Sequence, residues 1–162
     1  MSQRYILVNP EVCIGCKQCE LVCSYEHEGV YSSALSRIRL VRFEAECLNV
    51  PVTCAYCEEP ACEKVCPTGA MTVDPATGAA RVIEAKCIGC KECIAACPIG
   101  AVDMNSRTGV AMRCDLCKGS PACVDICPTG ALTFGFVNQT SRDKRRSRVL
   151  TLLFDEPEGR RA

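Results

Sequence analysis

Residues 87–98 read CIGCKECIAACP, and the spacing of cysteine within them decides how this chain folds. Cys87, Cys90 and Cys93 recur every third residue, so one tight loop carries three thiols. Cys97 lies four residues beyond Cys93, one helical turn and roughly 6 Å along a helix axis. Pro98 then turns the chain out of that helix, because its ring restricts the residue before it. Three more runs repeat the plan with small variations: Cys13, Cys16, Cys19 and Cys23; Cys54, Cys57, Cys62 and Cys66; Cys114, Cys117, Cys123 and Cys127. Of the 17 cysteines in 162 residues only Cys47 stands outside a run, so the runs organise the molecule.

The chemistry follows from the spacing. C-x2-C-x2-C-x3-C-P suits the four iron corners of a [4Fe–4S] cluster, and the last cysteine of such a run can serve the neighbouring cluster of a pair. The chain therefore reads as a scaffold for four [4Fe–4S] clusters that carry electrons. Gly15 and Gly89, inside the two C-I-G-C loops, are expected to bring backbone close to the clusters. Zinc asks instead for two ligand pairs far apart in sequence. Disulfides belong to secreted chains, and residues 1–10, MSQRYILVNP, lack the basic start and apolar stretch of a signal peptide. Every run is complete, which leaves no open iron for a substrate, and no catalytic base or nucleotide fingerprint is present. The expectation is a chain that is no enzyme by itself. A catalytic or sensory iron–sulfur protein is the competing class.

Composition agrees with a metal scaffold. There is no Trp and only 5% aromatic residues, thin material for an apolar core, so folding is expected to depend on the clusters. Formal charge is zero but unevenly placed: residues 1–137 hold 12 Lys/Arg and 15 Asp/Glu, whereas residues 138–162 hold 7 and 4. A basic tail against an anionic cluster-bearing body favours end-to-end self-association. No basic groove with interleaved aromatics points to nucleic acid. No apolar run approaches the roughly 20 residues of a membrane span. The expected location is the cytoplasm.

Along the chain, an internal repeat organises the rest. Cys-Pro-x-Gly-Ala recurs at 66–70, 97–101 and 127–131, and turn signals at 74–78 and 105–109 each separate two short strands. Strands are expected at 5–8, 71–73, 80–83, 102–104, 110–113 and 132–137, with a short helix at 19–26. The fold class is α+β: two bacterial ferredoxin-like units, one from residues 1–53 and 105–137 and one from residues 54–104, with short helices and β-hairpins around the clusters. Residues 37–43, RIRLVRF, form a strand whose arginines make either a solvated face or a docking face. Residues 138–162 form a basic linker and C-terminal extension, in which VLTLLF adds a strand to its own core or to a neighbour. Cys47 is expected as a buried free thiol, His27 as a surface or loop residue, and Tyr56 as a shield for its cluster against water. The first run alone lacks the closing proline, having Ser24, and leads into a 30-residue spacer.

These motifs resemble the four-cluster ferredoxin-like electron-transfer subunits of molybdenum and tungsten oxidoreductases, over about residues 5–137. The compact spacer and the run CDLCKGSPAC at 114–123 make the chain look most like the small subunit of tungsten aldehyde:ferredoxin oxidoreductase-type enzymes. The resemblance implies a tungsten or molybdenum pterin catalytic subunit as partner, with a flavin/NAD subunit or a ferredoxin as a second redox partner. It also implies crossed ligation. Cys13, Cys16, Cys19 and Cys127 would hold one cluster, and Cys114, Cys117, Cys123 and Cys23 its neighbour. Cys54, Cys57, Cys62 and Cys97 would hold a third, and Cys87, Cys90, Cys93 and Cys66 the fourth. A free polyferredoxin, or a subunit of a formate dehydrogenase- or hydrogenase-type complex, is the alternative.

Overall fold

Wherever a cysteine run ends in proline, the helix inside it stops after one turn. In the computed structural model, which describes residues 4–75 and 78–136, three helices are of this kind: α2 (Ala61–Lys64), α3 (Glu92–Ala95) and α4 (Ala122–Asp125). The first run has Ser24 in the proline's place, and its helix α1 continues through Gln18–Glu28. Gly29 ends it in the left-handed conformation, φ 68°, donating its N–H to the Tyr25 carbonyl at 2.9 Å. The Ser24 hydroxyl is fully buried, donates to the Leu21 carbonyl and accepts from the Ser32 N–H. One substitution thus both lengthens the helix and folds the spacer back onto it.

The strands form four separate antiparallel ribbons. β1 (Arg4–Val8) pairs with β8 (Leu132–Phe136), Tyr5 facing Gly135. β2 (Arg39–Phe43) pairs with β3 (Leu48–Val52), β4 (Met71–Val73) with β5 (Ala80–Val82), and β6 (Asp103–Met104) with β7 (Ala111–Met112). The turn between β6 and β7 is built on Asn105, whose side-chain oxygen accepts from the N–H groups of Arg107 and Thr108. A lone two-stranded ribbon is marginal in water, and a one-turn helix has no stability of its own. Packing must hold them.

That packing is pairwise. α1 lies against α4 and α2 against α3, so the helix of run one meets that of run four and the helices of runs two and three meet each other. Each pair has its own core. Ile6, Ile38, Leu116 and Leu132 join Cys19, Cys23, Cys114 and Cys123 in one; Met71, Val102 and Ala111 join Cys62 and Cys93 in the other. The cores are not divided where the sequence divides the units. Tyr56, Ala79 and Ala80 pack into the first core, and β7, beyond residue 104, packs into the second. Glu20 ties α1 to the spacer, its buried carboxylate accepting from the Leu40 N–H at 2.8 Å.

Three expectations need correction. Cys47 is exposed, not buried, in the β2–β3 turn at φ 51°. The arginines of RIRLVRF do not line a single face. Arg37 pairs with Asp115, Arg39 with Asp103 and with carbonyls of residues 33–34, and Arg42 donates to the Gly15 carbonyl at 2.7 Å. Within β2, residues 39 and 42 point to opposite faces, so one face could not collect both. His27 is no surface residue either; it lies on α1, with 11% of its side chain exposed. The expected linker and C-terminal extension at 138–162 lie outside the described residues.

Candidate metal centres

Each run opens with C-x2-C, and in all four the residue before the second cysteine is left-handed. It is Gly15 (φ 67°), Tyr56 (φ 49°), Gly89 (φ 69°) and Leu116 (φ 62°). Glycine adopts this conformation freely, whereas other residues are strained by about 1–2 kcal/mol. Tyr56 and Leu116 are buried in the first core, which contributes about 1.5–3 kcal/mol for a large side chain and offsets the strain. The two glycines are needed for another reason as well. A Cβ on Gly15 would stand 2.5 Å from the Asn49 side-chain oxygen, and one on Gly89 would stand 3.0 Å from the Gly109 carbonyl.

The third cysteine of every run, Cys19, Cys62, Cys93 and Cys123, is buried. Burial pushes the Cys19 thiol up to about 11 and raises Cys93 and Cys123 as well, with neighbouring sulfurs adding to it. The fourth cysteines Cys23, Cys66 and Cys127 go the other way, and for Cys66 and Cys127 the Cys-Pro-x-Gly-Ala repeat explains why. The turn after the proline folds back and aims backbone N–H groups at the preceding sulfur. Met71, Thr68 and Ala70 do this for Cys66 and bring its thiol down to about 7. At Cys127, burial opposes but amides of Leu132, Thr129 and Ala131 prevail, and the thiol is lowered. The Ala101 N–H lies 3.3 Å from the Cys97 sulfur. The sequence shows the repeat and its proline; its role as an amide cradle emerges only in three dimensions. Run one lacks the repeat, and there the spacer supplies the substitute: the Arg37 N–H reaches the Cys23 sulfur at 3.3 Å across 14 residues.

The runs converge in a crossed manner. Cys13, Cys16 and Cys19 line one cavity with Cys127, and Cys87, Cys90 and Cys93 line another with Cys66. Cys23 lies near Cys114 and Cys123, each acting on the other's charge, with Cys117 beside them. Cys54, Cys57, Cys62 and Cys97 are more spread: Cys54 packs at the first core, Cys62 and Cys97 belong to the second, and Cys57 is exposed. All 17 cysteines are free thiols.

Polar groups at the seam were invisible in the sequence. His27 Nε2 donates to Asp115 at 3.0 Å and its Nδ1 donates to the Cys23 carbonyl at 2.8 Å. Both acceptors only accept, so both ring nitrogens carry protons and the ring is an imidazolium. Asp115 also takes Arg37. His27, Asp115 and Cys117 converge closely enough to suggest a mixed metal site, but the imidazolium has no lone pair to give. Tyr56, expected to shield the cluster of its own run, is buried in the first core, near both Cys54 of its own run and Cys114 of run four. The buried hydroxyls of Tyr56 and Thr53 make no hydrogen bond among the described residues. Arg113 is buried and donates to the Cys62 sulfur at 2.9 Å. No spacing pattern could have flagged these contacts.

Sulfur-only donor sets, N–H groups aimed at sulfur and apolar walls fit iron–sulfur clusters, whose potentials respond to hydrogen bonds at sulfur. Known proteins agree. Residues 45–137 match the family of 4Fe-4S dicluster domains, and residues 10–26 that of 4Fe-4S binding domains. The chain is similar to the polyferredoxin-like subunit of an aliphatic sulfonate oxidoreductase from Pyrococcus furiosus, 45% identical over 123 residues, covering 76% of this chain and 70% of that one. It is 35% identical over 156 residues to the thiosulfate reductase electron transfer subunit PhsB of Salmonella typhi, covering 86% of this chain and 80% of that protein. It is 34% identical over 175 residues to the electron transport protein HydN of Escherichia coli, covering 91% and 98%. The fold is shared with a chain of the active site complex BamBC of benzoyl coenzyme A reductase, at a TM-score of 0.50 and 24% identity, covering 93% of this chain and 90% of that chain. Among the described residues no helix is long and apolar enough to cross a membrane.

Proposed function

We propose, because this chain belongs to the 4Fe–4S ferredoxin-like family of electron-transfer subunits, that it is the non-catalytic iron–sulfur subunit of an oxidoreductase complex. Its partner is a tungsten or molybdenum pterin subunit of aldehyde oxidoreductase type. Electrons pass through this chain to a second redox partner, a flavin/NAD subunit or a ferredoxin. The observation that carries the reading is the crossed gathering of sulfurs, in which the last cysteine of a run lies with the first three of another.

The chain's residues would hold four clusters in the crossed sets named above, Cys13, Cys16, Cys19 and Cys127 forming the first. A [4Fe–4S] cluster gives and takes one electron at a time without breaking a protein bond. The chain's own contribution is to hold the sulfurs and exclude water from the buried third cysteines. Its turn amides stabilise added negative charge on the fourth cysteines. That relatives are named as subunits supports a catalytic partner. The near-complete match to HydN supports the second reading, a free electron-transport protein.

Iron, sulfide and zinc analysis of anaerobically prepared protein, with electron paramagnetic resonance of the reduced form, tests the cluster content. Iron for four clusters is expected, and zinc or iron for two would overturn the count. Purification from the native host decides between subunit and free carrier through the presence or absence of a pterin enzyme in a stable complex.

A further inference from the structure

We propose that Arg113 is a positioning and charge-setting residue that raises the reduction potential of the cluster held by Cys62, across the seam between the two units. The inference rests on the iron–sulfur reading above. Arg113 precedes Cys114, the first cysteine of run four, yet its side chain crosses to run two. One Nη donates to the Cys62 sulfur at 2.9 Å, and the other donates to the Thr72 carbonyl at 2.5 Å. Only 3% of the residue is exposed.

A buried guanidinium needs a counter-charge, since taking a cation out of water is costly unless it is paired. Among the described residues no carboxylate lies within ion-pair distance of Arg113. Its Nε has no partner at all. Glu58 and Glu63 line the neighbouring cavity without pairing with it. The one acceptor able to carry charge is the Cys62 sulfur, which is anionic when it binds iron. The arginine therefore sits at a ligand whose charge grows on reduction. Reduction takes one electron from the redox partner and changes no bond of this chain, so a fixed cation beside the sulfur stabilises the reduced form more than the oxidised one. Charge and hydrogen bonds at sulfur are the recognised levers on such potentials. The plane of the guanidinium also joins run four to run two, since its backbone carries Cys114 while its fork holds Cys62.

The test uses the full chain, loaded anaerobically, as wild type, R113K and R113M. Redox titration followed by electron paramagnetic resonance is expected to show one cluster in R113M with its reduced-to-oxidised ratio at fixed potential down about tenfold, which is ~59 mV for one electron. The other clusters stay in place, and R113K, which keeps the charge without the fork, recovers most of the shift. Unmoved potentials with full iron content would overturn the proposal. A chain without iron–sulfur would instead overturn the functional reading. A measurement on the wild type stands even if a variant fails to load. With 15N in the arginine guanidinium groups, pulsed resonance of the reduced protein is expected to show nitrogen coupling to one cluster. No such coupling would overturn the proposal.

Discussion

His27 Nε2 donates to Asp115 Oδ1 at 3.0 Å, joining α1 of the first run to the loop of the fourth across 88 residues. Burial alone would push the imidazole down, but hydrogen bonds to Asp115 and to the sulfurs of Cys117 and Cys23 hold it up at about 12. Burial would likewise raise Asp115, yet the His27 hydrogen bond and the charge of Arg37 bring it down to about 2. The carboxylate's contribution to stability is complete above its ordinary 3.8 and is lost as pH falls toward 2. The imidazolium's is complete below its ordinary 6.5 and is lost as pH rises toward 12. H27Q should therefore lower the melting temperature of the loaded protein most at pH 6, and the deficit should shrink by pH 9. A deficit that grows with pH would refute the pair.

Gly15 and Gly89 occupy equivalent loop positions, but their neighbours differ in kind. G15A meets a side chain, that of Asn49, and G89A meets backbone, the Gly109 carbonyl. Both should destabilise by at least the about 1–2 kcal/mol of a left-handed non-glycine residue. Trimming Asn49 should rescue part of the first loss, so N49A and G15A should couple in a double-mutant cycle. Thermal unfolding of the four proteins measures this, and strict additivity would show that Asn49 does not confine the loop.

Cys47 predicts the thiol chemistry of the loaded protein. It is exposed in the β2–β3 turn, and no run claims it. With the other cysteines bound to iron, one thiol per chain should react rapidly with a disulfide reagent, and C47S should abolish that reaction while leaving iron content and resonance spectra unchanged. Loss of iron in C47S would make Cys47 a ligand.

Removing iron should unfold most of the chain. Among the described residues the ribbons have two strands each and three of the four α-helices are single turns, so the clusters must supply much of the folding free energy. Chelation under reducing conditions should collapse the far-ultraviolet circular dichroism signal and restore it on reconstitution. A native-like spectrum without iron would mean that the apolar cores suffice.

Local rules made much of this readable in the sequence. The two hairpins at 71–82 and 103–112 follow from the turn signals at 74–78 and 105–109. The one-turn helices follow from proline after the fourth cysteine, and the longer α1 from Ser24, because a helix ends where its own chain forbids the next turn. The conformation of Tyr56 and Leu116 was less visible, since only glycine announces a left-handed residue and here burial stands in for glycine.

By itself, the sequence determined that thiols would occur in sets of four on short loops, because three cysteines spaced by two residues can share one loop and the fourth is placed by one helical turn. Only the tertiary structure decided what surrounds those sulfurs. The Arg37 N–H at Cys23 and the Arg113 guanidinium at Cys62 each cross from one segment to another, Arg113 over 51 residues. Such contacts are set by how α1 meets α4 and α2 meets α3. The packing of helix pairs depends on complementary surfaces brought together in space, which no local spacing encodes.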